Sequence, residues 1–121
     1  MSLKGVIDRF TLVSGLEMKD VSRYLPIIED CRLYFEERLH DDLSEADQRR
    51  AEHACAVYAF YKISMMGSAD ALKSFRVGDV QMEPEPLGAY AERLWAEERE
   101  SIADIVDIGN IGSGIFRSVR V

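Results

Sequence analysis

Ala51-Glu52-His53-Ala54-Cys55-Ala56-Val57-Tyr58-Ala59-Phe60-Tyr61-Lys62-Ile63 is the stretch on which the reading of this chain turns. Ala51, Ala54, Cys55, Tyr58 and Tyr61, with Met65 beyond them, recur at three- and four-residue steps, which places them on one face of an α-helix. After Ala54 the other faces turn apolar too, through Ala56, Val57, Ala59, Phe60 and Ile63. A helix apolar most of the way round needs neighbours on every side. The spacing therefore predicts a central helix over 45–66. Ser44 stands at its start as N-cap, with Asp47 three residues on in a pattern like a capping box, and Gly67 stops it.

Three further amphipathic segments supply the neighbours. Leu3, Val6, Ile7, Phe10 and Val13 lie near helical spacing, and Ser14-Gly15 provides a left-handed cap; this predicts a short helix over 3–12, with Leu16 and Met18 in the connection. A second helix is predicted over 26–39, opened by Pro26, whose missing N–H costs nothing in a first turn. Ile28, Cys31, Phe35 and Leu39 form its stripe, widened by Ile27 and Tyr34, while Glu29, Asp30, Glu36 and Glu37 face solvent. The last helix is predicted over 87–108 from Leu87, Tyr90, Ala91, Leu94, Trp95, Ile102, Ile105 and Val106.

One segment departs from the helical period. In Lys73-Ser74-Phe75-Arg76-Val77-Gly78-Asp79-Val80-Gln81-Met82, Phe75 and Val77 alternate with polar neighbours, as do Val80 and Met82. Gly78-Asp79 between them supplies the turn, so the stretch reads as a β-hairpin over 73–82. A lone hairpin cannot bury both of its faces and needs helices or other strands as partners. Pro84-Glu85-Pro86 follows as a rigid linker. Beyond Gly109, Gly112 and Gly114, the tail Ile115 to Val121 is β-prone and can form a final strand. The expected architecture is thus mostly α: one domain of 121 residues, a bundle of about four helices with one β-hairpin inserted before the last helix and a β-prone tail after it.

Charge and chemistry narrow the function. Net charge is −7, with Lys and Arg scattered among carboxylates, which argues against nucleic-acid binding as the main activity. No apolar run reaches the length of a membrane span, and no signal-peptide core stands near the start. Cys31 and Cys55, both at apolar helical positions, read as buried free thiols rather than a disulfide. The only histidines are His40 and His53. His53 and Cys55 lie two apart on a helix and point different ways, so no metal site is expected.

Glu97, Glu100, Asp104 and Asp107 fall on one face of the predicted last helix. Such a row resembles that of the helical nucleotide pyrophosphohydrolases and suggests a small acidic helical nucleotide hydrolase using Mg²⁺, but in that family the acidic pairs come from two facing helices, and a one-sided row reads as a solvated face. Gly109-Asn110-Ile111-Gly112-Ser113-Gly114 follows a helix instead of a strand and opens no helix, so it lacks the setting of a phosphate loop. No serine has a triad around it. Tyr24, Tyr34, Tyr58, Tyr61 and Tyr90 read mainly as core residues. No cofactor and no catalytic residue is expected. A helical protein-interaction module remains the other alternative.

The order of helices, the Ser-Phe-Arg-Val-Gly-Asp-Val hairpin, the long helix with Leu94-Trp95-Ala96-Glu97-Glu98, and the short β-prone tail together resemble the small head–tail connector proteins of long-tailed phages and prophages. Lys73, Ser74, Phe75, Arg76, Gly78, Asp79 and Val80 match that family's hairpin motif, and the likeness spans roughly residues 26–121. Residues 3–18 look like an extension to the family's compact core, and the Gly-rich stretch is longer than in the family. The resemblance implies a non-enzymatic ring subunit beneath the portal protein, found in the virion or the host bacterial cytoplasm. Such a ring extends the DNA channel and docks a tail-side adaptor. Ser74, Phe75, Arg76, Val77, Gly78, Asp79 and Val80, with Phe116, Arg117, Val119 and Arg120 of the tail, are its expected interface residues. An acidic channel wall would let DNA slide without binding it.

Overall fold

The computed structural model describes residues 1–66 and 87–107. Within them lie five α-helices: α1 Leu3–Ser14, α2 Met18–Val21, α3 Leu25–Glu36, α4 Glu45–Met65 and α5 Leu87–Ser101, with a single 3₁₀ turn, Ser22–Tyr24, between α2 and α3. The protein is mostly helical, as its periodicity predicts. The predicted hairpin and the β-prone tail lie outside the described residues.

The central helix forms because both ends and every face are provided for. Ser44 Oγ accepts the Asp47 backbone N–H at 3.1 Å. Every residue from Ala54 to Phe60 is buried, and Ala51 and Ile63 extend the buried set. The small side chains among them let three helices come close at once, and α1, α3 and α5 each pack on α4. Val6 and Phe10 of α1, Ile28, Cys31 and Phe35 of α3, and Ala91 and Trp95 of α5 complete one core. α1 supplies part of this core through Val6 and Phe10, which are wholly buried, and Leu16 just beyond it is buried too.

The ends of α1 are fixed locally. Ser2 Oγ accepts the Gly5 N–H at 3.0 Å. Gly15 takes a left-handed conformation, φ 77°, and donates its N–H to Thr11 O at 2.9 Å; that conformation is open to Gly at little cost. Gly5 serves a different purpose. A Cβ there would run into the Glu52 carboxylate, whose Oε2 accepts the Ser2 N–H at 2.9 Å. A side chain at position 5 would therefore displace the Glu52 carboxylate from its hydrogen bond to Ser2. The expected connection after α1 contains a helical turn of its own, α2, with Val21 buried and Met18 exposed.

Two predicted helices stop earlier than their apolar spacing suggests. The second ends at Glu36, not 39, and the last at Ser101, not 108. Leu39 and Val106 instead form an antiparallel β-bridge. His40 N–H donates to Ile105 O at 2.9 Å, and Asp107 N–H donates to Arg38 O at 2.8 Å. Both chain segments leave the helix to make these bonds while Ile102, Ile105 and Val106 stay in the core. Their burial keeps the three- and four-residue rhythm going after the helix has ended. Arg38 closes α3 by donating to Tyr34 O at 3.0 Å, which satisfies a carbonyl left without an intrahelical partner.

Replacing core residues of α4 should separate the two ways a tight helix junction fails. Phe60→Ala is expected to cost about 3–5 kcal/mol through the cavity it leaves, and Ala54→Leu about 1–3 kcal/mol through overpacking. Leu12→Ala, at a residue 76% exposed, should stay within about 0.5 kcal/mol. Urea unfolding of the three variants measures the contrast.

Candidate interaction surface

Aromatic side chains tie α3, α4 and α5 together. The Tyr58 ring sits 4.8 Å from that of Trp95, 5.8 Å from Phe35 and 6.1 Å from Tyr34, with the Tyr34 pair stacked. The Arg38 guanidinium lies over the outer face of this group, 3.6 Å from the Tyr34 ring centroid, and Lys62 lies 5.7 Å from that of Tyr58. Burial pushes the Tyr58 phenol above its ordinary range, with nearby Cys31 and the other tyrosines adding to the effect. Tyr24 and Tyr58 are buried, and Tyr34, Tyr61 and Tyr90 are partly so, in keeping with their reading as core residues.

Part of this cluster forms the floor of an open groove between α3 and α4. Ile27, Asp30, Cys31, Tyr34, Tyr58, Lys62 and Met66 enclose about 470 Å³. Apolar and aromatic surface dominates, with one carboxylate and one ammonium among the lining groups. Met65 and Met66 extend apolar surface at the C-terminal end of α4, 54% and 61% exposed. Methionine is flexible and polarizable, and such residues suit surfaces that fit a partner by repacking.

The same end of the bundle is where residues 67–86 leave and return. A Cβ placed on Gly88, at the start of α5, would lie 3.8 Å from Met65 Sδ. The two stumps of that segment are therefore neighbours. Ser74, Phe75, Arg76, Val77, Gly78, Asp79 and Val80 all fall within it, outside the described residues. Phe116, Arg117, Val119 and Arg120 of the tail also lie outside the described residues, in 108–121. What the structure adds is the place from which each segment departs, and no sequence motif marks that.

The other chemical candidates find definite surroundings. The carboxylate row is broken, because α5 ends at Ser101. Asp104 meets Arg50, with Nη2–Oδ1 at 2.9 Å and Nη1–Oδ2 at 3.3 Å, and this pairing lowers the Asp104 pKa. Asp107 lies at the β-bridge. Only Glu97 and Glu100 of the four remain on the helix. Among the described residues, no three His, Cys, Asp or Glu side chains converge as a metal site would require, and no helix is long and apolar enough to cross a membrane. His40 is exposed beside the bridge, and His53 is half-buried on α4. Compared with known proteins, the chain matches no family model, no curated protein and no solved structure.

Cys31 and Cys55 are both free and buried. Burial is the first cause that pushes the Cys31 thiol up from 9.0 to about 12, against a smaller opposing pull from Lys62. Burial likewise pushes Cys55 well above its ordinary value. Both folded-state values exceed those of the unfolded chain, so the unfolded chain loses these protons first as pH rises. The thiols' contribution to stability is complete below about pH 9 and is lost as pH climbs toward 12. At pH 8 a thiol reagent should modify neither cysteine on the timescale of its reaction with unfolded protein. Stability followed from pH 8 to pH 11 should fall less steeply in Cys31→Ala with Cys55→Ala than in the parent.

Proposed function

We propose that this chain is a structural adaptor of a phage or prophage particle: a head–tail connector subunit that works without catalysis. In this reading several copies form a ring beneath the portal protein, extending the DNA channel and offering a docking surface to the next tail component. The hairpin motif from Lys73 to Val80 supplies the resemblance. The observation that carries the reading is where the chain leaves the bundle.

Residues 67–86 depart and return at the Met65–Gly88 end of α4. Residues 108–121 depart next to the β-bridge, beside Arg50 near the other end of α4. From Arg50 to Met65 an α-helix rises roughly 20 Å. The two segments that carry the expected contacts therefore leave from opposite ends of a closed helical bundle. A ring subunit that joins two different bodies needs distinct surfaces on opposite sides, because head-to-tail contacts close only by rotation. The aromatic groove and the two exposed methionines beside the first departure point add apolar surface suited to a contact there.

Within this reading, Ser74, Phe75, Arg76, Val77, Gly78, Asp79 and Val80 act on the neighbouring subunit or portal. Phe116, Arg117, Val119 and Arg120 act on the other side. An exposed strand edge is a ready template for pairing with another chain, which gives the motif a physical means of contact. The net charge of −7 keeps DNA from adhering to a wall built of such subunits.

Mixing the purified protein with the portal of its own particle tests the proposal. Electron microscopy should reveal a ring seated on the portal, and light scattering a matching gain in mass. Monomeric behaviour of the isolated protein is compatible with assembly on the particle alone. A protein that stays monomeric and never associates with portal would overturn the reading.

A further inference from the structure

A second cavity, of about 380 Å³ and on a different part of the bundle from the aromatic groove, is lined by Arg9 of α1, by Ala46, Arg49, Arg50 and His53 of α4, and by Glu98 and Ser101 of α5. Three arginines thus meet at one place in a chain of net charge −7. Arg50 is already engaged. It donates to Asp47 Oδ1 at 2.9 Å, to both carboxylate oxygens of Asp104 and to Ser101 O at 2.6 Å. Its role is to hold the end of α5 against α4, and it forms a wall of the cavity.

The other charged groups are arranged differently. Arg9 and Glu98 are half-buried and Arg49 is exposed. None of the three has a side-chain ion pair within 4.0 Å among the described residues. Two cations and one anion therefore line a single cavity without closing on one another. His53 lines it as well, and its Nδ1 is shut off from solvent with no hydrogen-bond partner. A buried ring nitrogen in that state is uncommon in folded proteins, and since it is closed to solvent it is closed to the cavity as well, so the charged groups carry the site.

We propose that this cavity binds a small molecule that carries an oxyanion, phosphate or carboxylate, at one end and a hydrogen-bond donor such as an ammonium at the other. A guanidinium fork matches the paired oxygens of either anion, and Arg9 and Arg49 reach the site from separate helices, so they can hold it from two directions. Glu98 is acceptor-only when ionised and takes the donor end. The volume falls within the range of small-ligand pockets, roughly 300–1,000 Å³. A DNA backbone fits less well, because it is held by an extended run of cations, and here two free guanidiniums share a recess with a carboxylate.

Calorimetry and amide-shift NMR with phosphoethanolamine, glycine and inorganic phosphate, at low salt, test the site. Phosphoethanolamine and glycine separate phosphate from carboxylate as the preferred anion, and a short DNA duplex forms a separate arm. Saturable binding of at least one of the two bifunctional probes is expected, with shifts centred on Arg9, Arg49, His53 and Glu98. Arg49→Ala, at an exposed position that folding does not need, should weaken binding about tenfold or more. Glu98→Gln should weaken the bifunctional probe while leaving inorganic phosphate bound as tightly or more so. The proposal is overturned by no saturable binding of either bifunctional probe, by an affinity unchanged in both Arg9→Ala and Arg49→Ala, or by binding confined to the DNA duplex.

Discussion

The bundle depends on one steric constraint: a helix can be enclosed on all sides only if its neighbours find room to approach. Helices packed at ordinary separations lie 8–10 Å apart, with the distance set by side chains at the contact. In α4 the positions that meet these neighbours alternate small and large, with Ala51, Ala54, Ala56 and Ala59 set among Val57, Tyr58, Phe60 and Ile63. Opposite them come the large groups of the surrounding helices, Phe10, Phe35 and Trp95. At Gly5 the space a side chain would take is filled by the Glu52 carboxylate reaching across from α4 to the Ser2 N–H. The other helices need not associate strongly with one another, since each is held through the same central element.

Polar groups finish what this packing begins. Arg38 and Arg50 do comparable work at different corners. Each takes up a backbone carbonyl at a helix end, Tyr34 O and Ser101 O respectively, and each makes a second contact beside it. For Arg38 that contact is the face of Tyr34; for Arg50 it is the carboxylate of Asp104. Helix ends carry carbonyls without intrahelical partners, and a planar guanidinium can satisfy one while keeping a hold on something else. The aromatic group around Tyr58 is thereby fixed from outside as well as from within. A cluster so held presents an ordered floor to the groove above it.

Helix content was legible from spacing alone, because the apolar period in α1, α3, α4 and α5 follows the buried faces closely. The starts of α1 and α4 were legible in part, through the Ser44 cap above all. The ends of α3 and α5 were not. Leu39 lies four residues after Phe35, and Ile102, Ile105 and Val106 keep helical spacing after the helical backbone has stopped, so periodicity carries on through a change of structure. What ends these helices is the Leu39–Val106 pairing, a contact between residues far apart in sequence that no local pattern encodes. The same limit hid the second cavity. Arg9, Arg49 and Glu98 belong to three helices, and scattered among other charges they look like ordinary solvated surface. The one signal that could have hinted at it was the Arg49-Arg50 pair in an otherwise acidic neighbourhood.

The contact between Met65 and Gly88 has a consequence for how such a protein can change. When the ends of an insertion already touch, the bundle does not feel how long the insertion is, except through the entropy of closing it, and that grows only as a logarithm: about 0.6 kcal/mol for each doubling of length. The closure term by itself therefore puts little constraint on the length of chain between Met65 and Gly88. With its ends already side by side, an insertion at this point need not be long to close, and α5 keeps its place by its own packing on α4.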